Sequence, residues 1–245
     1  MNITNLFRSS VGKKFIMAIT GMALFLFVVL HLLGNLQIFL GPEAINRYGA
    51  FLQGNLELIW PARIGLLIIV GLHIWSAIKL AVENRAARPQ PYAQQEIVAA
   101  SYASRTMVWS GFIIAAFIIY HLLHFTVQVP AVNLTGKNFT TLEDAKNQHD
   151  VFRMMVIGFQ SRVVTLFYIF AMWLLFLHLS HGVSAMFQSL GWKSPGYGSL
   201  IARFAVVASW LIFVGYISIP IAVQLGYGSS YVNSFNVNAL QEVVK

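Results

Sequence analysis

The sequence predicts an all-α integral membrane protein with five transmembrane helices. Three observations carry that prediction. The 245 residues are 58% hydrophobic and only 10% charged, where a soluble domain carries roughly 25% charge. The apolar residues gather in five blocks, each long enough for the ~20 residues that a bilayer-spanning helix needs. Six of the seven histidines fall inside those blocks, where an ionisable side chain is expensive and usually has a function.

The first block, Phe15–Leu40, follows a polar stretch with one arginine, Arg8. It is far longer than a signal-peptide core and has no small-residue cleavage site after it, so it reads as a retained anchor. The other four are Ile59–Val82, Met107–Val129, Val163–Phe187 and Phe204–Leu225. Pro42, Pro61, Pro89, Pro91, Pro130 and Pro195 sit at or just outside block edges, where proline costs least. Pro220 lies inside the fifth block and is expected to bend its last turn. The polar connections are too short to fold separately, so residues 1–245 read as one transmembrane domain.

Orientation follows from the basic residues flanking alternate ends of the blocks. One side carries Arg8, Lys13, Lys14, Lys79, Arg85, Arg88, Arg105, Lys193 and Arg203 against Glu83 and Glu96. The other carries Arg47, Arg63, Lys137, Lys146, Arg153, Arg162 and Lys245 against Glu43, Glu57, Glu143, Asp144, Asp150 and Glu242. The first, more basic side is expected to be cytoplasmic, with the N-terminus inside and the C-terminus outside. Most of the net charge of +8 is this topological signal. The basic residues form no aromatic-interleaved surface, so nucleic acid is not an expected partner. A positive inner face does offer an acidic protein a place to dock.

The chain has no cysteine, which excludes disulfides, iron–sulfur ligation, thiolate haem ligation and covalent haem attachment. A cofactor would be held by histidine, methionine, tyrosine or carboxylate. His31, His73, His121 and His178 place one histidine on each of the first four blocks, and the fifth block has none. At 1.5 Å per residue, His31 lies about 25 Å past Lys14 and His121 about 24 Å past Arg105. His73 is about 9 Å from Lys79, and His178 is past the middle of a helix running inward from Arg162. The set sorts into an outer pair, His31 with His121, and an inner pair, His73 with His178.

Two pairs of imidazoles from facing helices are what two bis-histidine haems require, so the first four helices are expected to form a haem-binding bundle. Zinc would need four ligands converging on one point, and a proton relay normally includes buried carboxylates, which the blocks lack. His124 and His181 sit three residues beyond His121 and His178 on roughly the same helical face. Periodicity therefore leaves the ligand within each of those two helices open. His149, in the polar outer loop beside Asp150, reads as a solvated surface residue.

Four local motifs, in order, resemble the single-subunit dihaem cytochrome b anchors of bacterial succinate dehydrogenases and fumarate reductases. They are Thr20-Gly21 followed by His31-Leu32-Leu33-Gly34-Asn35-Leu36, then Leu72-His73-Ile74-Trp75-Ser76-Ala77, then Tyr120-His121-Leu122-Leu123-His124-Phe125-Thr126. The fourth is His178 with Gly182 at +4 and Gly191 at +13. The resemblance runs from about residue 8 to 225. It implies His121 rather than His124 and His178 rather than His181 as ligands, with helix one paired to three and two to four.

The resemblance further implies a subunit of a succinate:quinone oxidoreductase in the bacterial cytoplasmic membrane, with two b haems. An FAD-containing flavoprotein subunit and an iron–sulfur subunit would dock on the cytoplasmic face, and dicarboxylate chemistry would occur there, not on this chain. Electrons would be exchanged with a membrane quinone, menaquinone in the first instance. Some fumarate reductases of the family carry a glutamate near the outer quinone site, at the start of helix two. Glu57 is the corresponding candidate as quinol proton acceptor. Its spacing to His73 departs from the family, and a headgroup glutamate is the alternative. Arg63 or Arg162 are expected to meet the outer haem propionates and Lys79 or Arg105 the inner ones, unless they serve only as interface anchors. Two rival readings share the histidines: the dihaem anchor of another quinone-linked dehydrogenase or hydrogenase, and a transporter using histidine as a relay.

Overall fold

A computed structural model of the chain describes residues 3–87 and 102–235. Arg88, Pro89, Pro91, Glu96, Glu242 and Lys245 lie outside the described residues. The structure is 83% helical, and among the described residues the only β feature is an isolated bridge between Glu143 and His149. In chain order the α-helices are α1 (Ile3–Arg8), α2 (Ser10–Leu36), α3 (Pro42–Gly54), α4 (Leu56–Ala86), α5 (Tyr102–Arg105), α6 (Met107–His121), α7 (Val151–Gln160), α8 (Arg162–Ser189) and α9 (Gly198–Gln224).

Five of these are long and apolar enough to cross a membrane: α2 with its 3₁₀ extension to Leu40, α4, α6 with the turn to Thr126, α8 and α9. Their apolar windows are only 11–39% buried. Leu67, Trp109 and Leu211 are among the large side chains turned outward. An outward apolar surface of this extent suits hydrocarbon contact, and helices close all their backbone hydrogen bonds internally, as lipid demands.

All five expected spans are present, and their bounds differ in instructive ways. α2 begins at Ser10, five residues earlier than the apolar block. Ser9 Oγ accepts the Gly12 N–H at 3.0 Å and the Ser9 carbonyl accepts that of Lys13, so Lys13 and Lys14 are helical. Pro61, expected at an edge, lies inside α4. It is the sixth residue of that helix, so it removes one hydrogen bond just beyond the first turn, whose N–H groups have no helical partner in any case. α6 stops short of the expected Val129. It widens into a π turn at Leu122–Thr126, beyond which Gln128 takes a left-handed φ of 61°.

Four of these helices, α1, α3, α5 and α7, had no counterpart in the apolar blocks. α3 opens with Pro42 at its first turn after Gly41, whose φ of 99° favours glycine. α7 is too short to span, yet seven of its ten residues are buried. Its N-cap is Asp150, whose Oδ1 accepts the Arg153 N–H at 2.9 Å. Asn46 of α3 donates to that same oxygen at 3.0 Å and accepts the Phe152 N–H at 2.9 Å. The Tyr231 hydroxyl donates to Asp150 Oδ2 at 3.1 Å. Burial and then the Asp150 charge push the Tyr231 phenol up to about 12.

The chain divides into two compact units. The first comprises Met1–Leu30, Trp60–Ile113 and Leu174–Ile212. It is held by small and hydroxyl residues, Ala18, Ser76, Ala205 and Ser209, all almost fully buried. Small side chains let helix backbones approach closely. The buried Lys13 ammonium pairs with Glu83 in this unit. The second comprises His31–Ile59, Ile114–Trp173 and Phe213–Lys245. Its core is aromatic, with Phe117, Tyr120, Phe125, Phe139, Phe159 and Tyr168 in mutual ring contact.

Candidate functional site

Each unit brings two histidines from two helices close together. In the first unit, His73 of α4 and His178 of α8 have ring centres 6.4 Å apart with planes at 62°. In the second, His31 of α2 and His121 of α6 have ring centres 5.8 Å apart with planes at 84°. All four rings are half-buried. These are the two pairs that depth along the helices had sorted.

The spacing tests whether a haem iron fits between them. A metal–imidazole bond is about 2 Å and the ring centre lies about 1 Å beyond the nitrogen, so two axial imidazoles have centres about 6 Å apart. Both pairs fall within half an ångström of that value. Among the described residues no group of three or more His, Asp or Glu side chains converges as a metal site. His31, His73, His121 and His178 are thus the residues that would hold two b haems. A haem held by two imidazoles would supply electron transfer, with no position left open.

The spare histidines separate from the pairs. His124 lies in the π turn, where the α-helical spacing no longer holds. Its ring is fully buried, stacked near Phe125 at 3.9 Å between centres and close to Phe139 at 5.8 Å. Its Nδ1 is 2.9 Å from the Tyr168 hydroxyl, which is also 3.3 Å from His121 Nδ1. His124 Nε2 is buried without a hydrogen-bond partner. His181 is half-buried on α8, one turn beyond His178.

The ligand environments contain residues that the histidine pattern does not show. Thr20 Oγ1 lies 3.1 Å from His73 Nδ1, and Ser110 Oγ lies 3.3 Å from His178 Nδ1. A Cβ on Gly21 would meet His73 Cε1 at 3.3 Å, and one on Gly111 would meet His178 Cε1 at 3.6 Å. Thr20-Gly21 belongs to one of the sequence motifs. Ser110-Gly111 and Tyr168 belong to none, serine, glycine and tyrosine being ordinary residues in apolar helices.

The remaining candidates lie apart from the rings. Arg63 is exposed in the first unit, its guanidinium 5.5 Å from the Trp60 ring centre. Lys79 and Arg105 are exposed in the same unit, and Arg162 is exposed in the second. Glu57 is exposed in the first turn of α4 and belongs to the second unit, with His31 and His121.

His149 corrects an expectation. It is half-buried, not a solvated surface residue, because its backbone bridges Glu143 and its Nε2 lies 3.0 Å from Gln128 Nε2. Burial pushes its imidazole below the ordinary value, outweighing the backbone bond at Leu142 and the Asp150 charge, which both act upward.

Compared with models of protein families, with curated proteins and with solved structures, the chain matches none.

Proposed function

We propose that this chain is the membrane-anchor cytochrome b subunit of a succinate:quinone oxidoreductase in a bacterial cytoplasmic membrane. The observation that supports it best is the pair of neighbouring imidazoles repeated in two compact units, each spaced for one iron. The haems, when bound, supply one-electron transfer between cytoplasmic flavin and iron–sulfur subunits and a membrane quinone, menaquinone in the first instance.

In this reading His73 and His178 hold the inner haem, and His31 and His121 the outer one. Arg63, Lys79, Arg105 and Arg162 have the charge to meet propionates, and their exposed heads can swing on flexible stems. The basic N-terminal side receives the partner subunits. Glu57 lies at the start of α4, where a quinol beside the outer haem would release its protons, and its carboxylate can accept one as general base. The physiological direction of the reaction follows from the haem and quinone potentials, which groups hydrogen-bonded to the ligands tune.

A reduced-minus-oxidised visible spectrum of the full chain in native membranes tests the reading. A b-type α-band with two haems per chain by pyridine haemochrome is the expected result. A spectrum without haem bands ends it, and would turn attention to a histidine relay in a transporter.

A further inference from the structure

The first unit holds one chemical arrangement twice. On α2 a hydroxyl residue and a glycine, Thr20-Gly21, face His73. On α6 a hydroxyl residue and a glycine, Ser110-Gly111, face His178. Both hydroxyl residues are almost fully buried. The two dipeptides lie on different helices and meet different ligands, so chain continuity does not explain the repeat.

A hydroxyl has one hydrogen and can accept at the same oxygen. Thr20 Oγ1 donates to the Ile16 carbonyl at 2.7 Å, shorter than its 3.1 Å contact to His73 Nδ1. Ser110 Oγ donates to the Met107 carbonyl at 3.1 Å, again shorter than its 3.3 Å contact to His178 Nδ1. With its hydrogen committed to its own helix, each oxygen is left to accept. His73 Nδ1–H then donates to Thr20, with the Met17 carbonyl as a second, backbone acceptor beside the ring, and His178 Nδ1–H donates to Ser110. A neutral imidazole carries one ring proton, so Nε2 of both rings bears the lone pair. That is the nitrogen an iron needs, and the hydrogen bond at the other nitrogen fixes ring orientation and raises ligand basicity. The adjacent glycine leaves room for the ring edge: a Cβ at Gly21 would already press on His73 Cε1.

We propose that Thr20 and Ser110 are positioning residues for the haem of the His73–His178 pair. Each sets its ligand's tautomer and rotation through Nδ1, with Gly21 and Gly111 as the floor under the rings. In the second unit the Tyr168 hydroxyl is shared between His121 and His124. The control of the first haem is therefore separable from that of the second. This proposal rests on the dihaem reading.

The test is a redox titration of the full-length chain in native membranes, followed by haem absorbance, for wild type, Thr20→Val, Thr20→Ser and Ser110→Ala. Valine keeps the shape of threonine and removes the hydroxyl. A less basic ligand favours ferrous iron, so Thr20→Val and Ser110→Ala should each raise one haem's midpoint. A roughly tenfold change in its ferrous-to-ferric ratio corresponds to 59 mV for one electron. The other haem should stay put, and Thr20→Ser should titrate as wild type. If Thr20→Val loses a haem, retention of two haems by Thr20→Ser supports the role of the hydroxyl, and loss in both overturns it. Two haems with unchanged potentials in both hydroxyl-free variants also overturn it, while leaving the dihaem reading intact. Absence of haem from the wild type overturns that reading instead.

Discussion

Tyr168→Phe should destabilise the second unit by an amount that its geometry sets. The Tyr168 hydroxyl is 2.9 Å from His124 Nδ1 and 3.3 Å from His121 Nδ1. His124 is fully buried and its Nε2 already lacks a partner. Removing the hydroxyl leaves both nitrogens of a buried ring unsatisfied. The aromatic ring of residue 168 keeps its edge contacts to Phe117 and Phe159, each 5.0 Å between centres, so little packing is lost. Orphaning one buried polar group costs about 1–3 kcal/mol, a five- to 150-fold change in an equilibrium. The longer contact to His121 contributes the smaller share. Denaturant unfolding of the purified chain in detergent, followed by tryptophan fluorescence and haem absorbance, measures the loss. The midpoint should fall, and the haem of the His31–His121 pair should be released first. Tyr168→Phe combined with His124→Phe should recover part of the loss, since replacing both partners costs less than stranding one. Wild-type stability in Tyr168→Phe would refute the bridging role.

Three other outcomes follow from the proposed function and from the surroundings of the histidines. His31→Ala and His121→Ala should remove one and the same haem, and His73→Ala and His178→Ala the other, while His124→Ala and His181→Ala keep both; haem content with redox titration decides, and loss of different haems within a pair breaks the pairing. The burial-lowered imidazole of His149 should make the loop before α7 sensitive to acid: its contribution is complete above the ordinary value of 6.5 and lost as pH falls through the lower folded value. Hydrogen exchange over Val151–Gln160 should then accelerate on acidification, and His149→Gln should flatten that dependence; an identical pH profile in the variant sinks the assignment. Glu57→Gln should slow quinol oxidation and spare succinate oxidation assayed with an artificial dye, and unchanged quinol turnover removes Glu57 from the proton path.

The long helices were legible because lipid imposes a length and a composition that few other settings do. The histidine pairs were legible for a related reason: a polar ring in an apolar helix stands out, and 1.5 Å per residue converts its position into depth. Depth says nothing about rotation about the helix axis. The expectation that His124 shares the face of His121 assumed α-helical spacing, and the π turn at Leu122–Thr126 removes that assumption. Such turns cluster at functional sites, but the residues that form this one, Leu122 to Thr126, continue the apolar pattern without a break. α7 escaped notice for the opposite reason. Val151–Gln160 is too short for a span, and its burial comes from α3 and from residues far along the chain. Thr20, Ser110 and Tyr168 were invisible as site residues because each also has a plain role in helix packing.

The end of α9 bears on the order in which the molecule can be assembled. Only Ser161 separates α7 from α8, so the last carbonyls of α7 have no helix to continue into. Thr165 Oγ1 of α8 donates to the Phe159 carbonyl at 3.0 Å, and Gln224 adds the distant partner: its Nε2 donates to the Phe159 carbonyl at 2.6 Å and to that of Gln160 at 3.2 Å, and lies 3.3 Å from Thr165 Oγ1. Gln224 is the final residue of the last span. During synthesis the junction between α7 and α8 is made more than sixty residues before the group that closes it. Four spans can enter the bilayer with that junction still hydrated, and the fifth then seals it as a latch. A ribosome stalled before residue 224 would hold a chain with four inserted helices and an unlatched α7, a species that protease accessibility at the Gln160–Arg162 junction would distinguish from the finished protein.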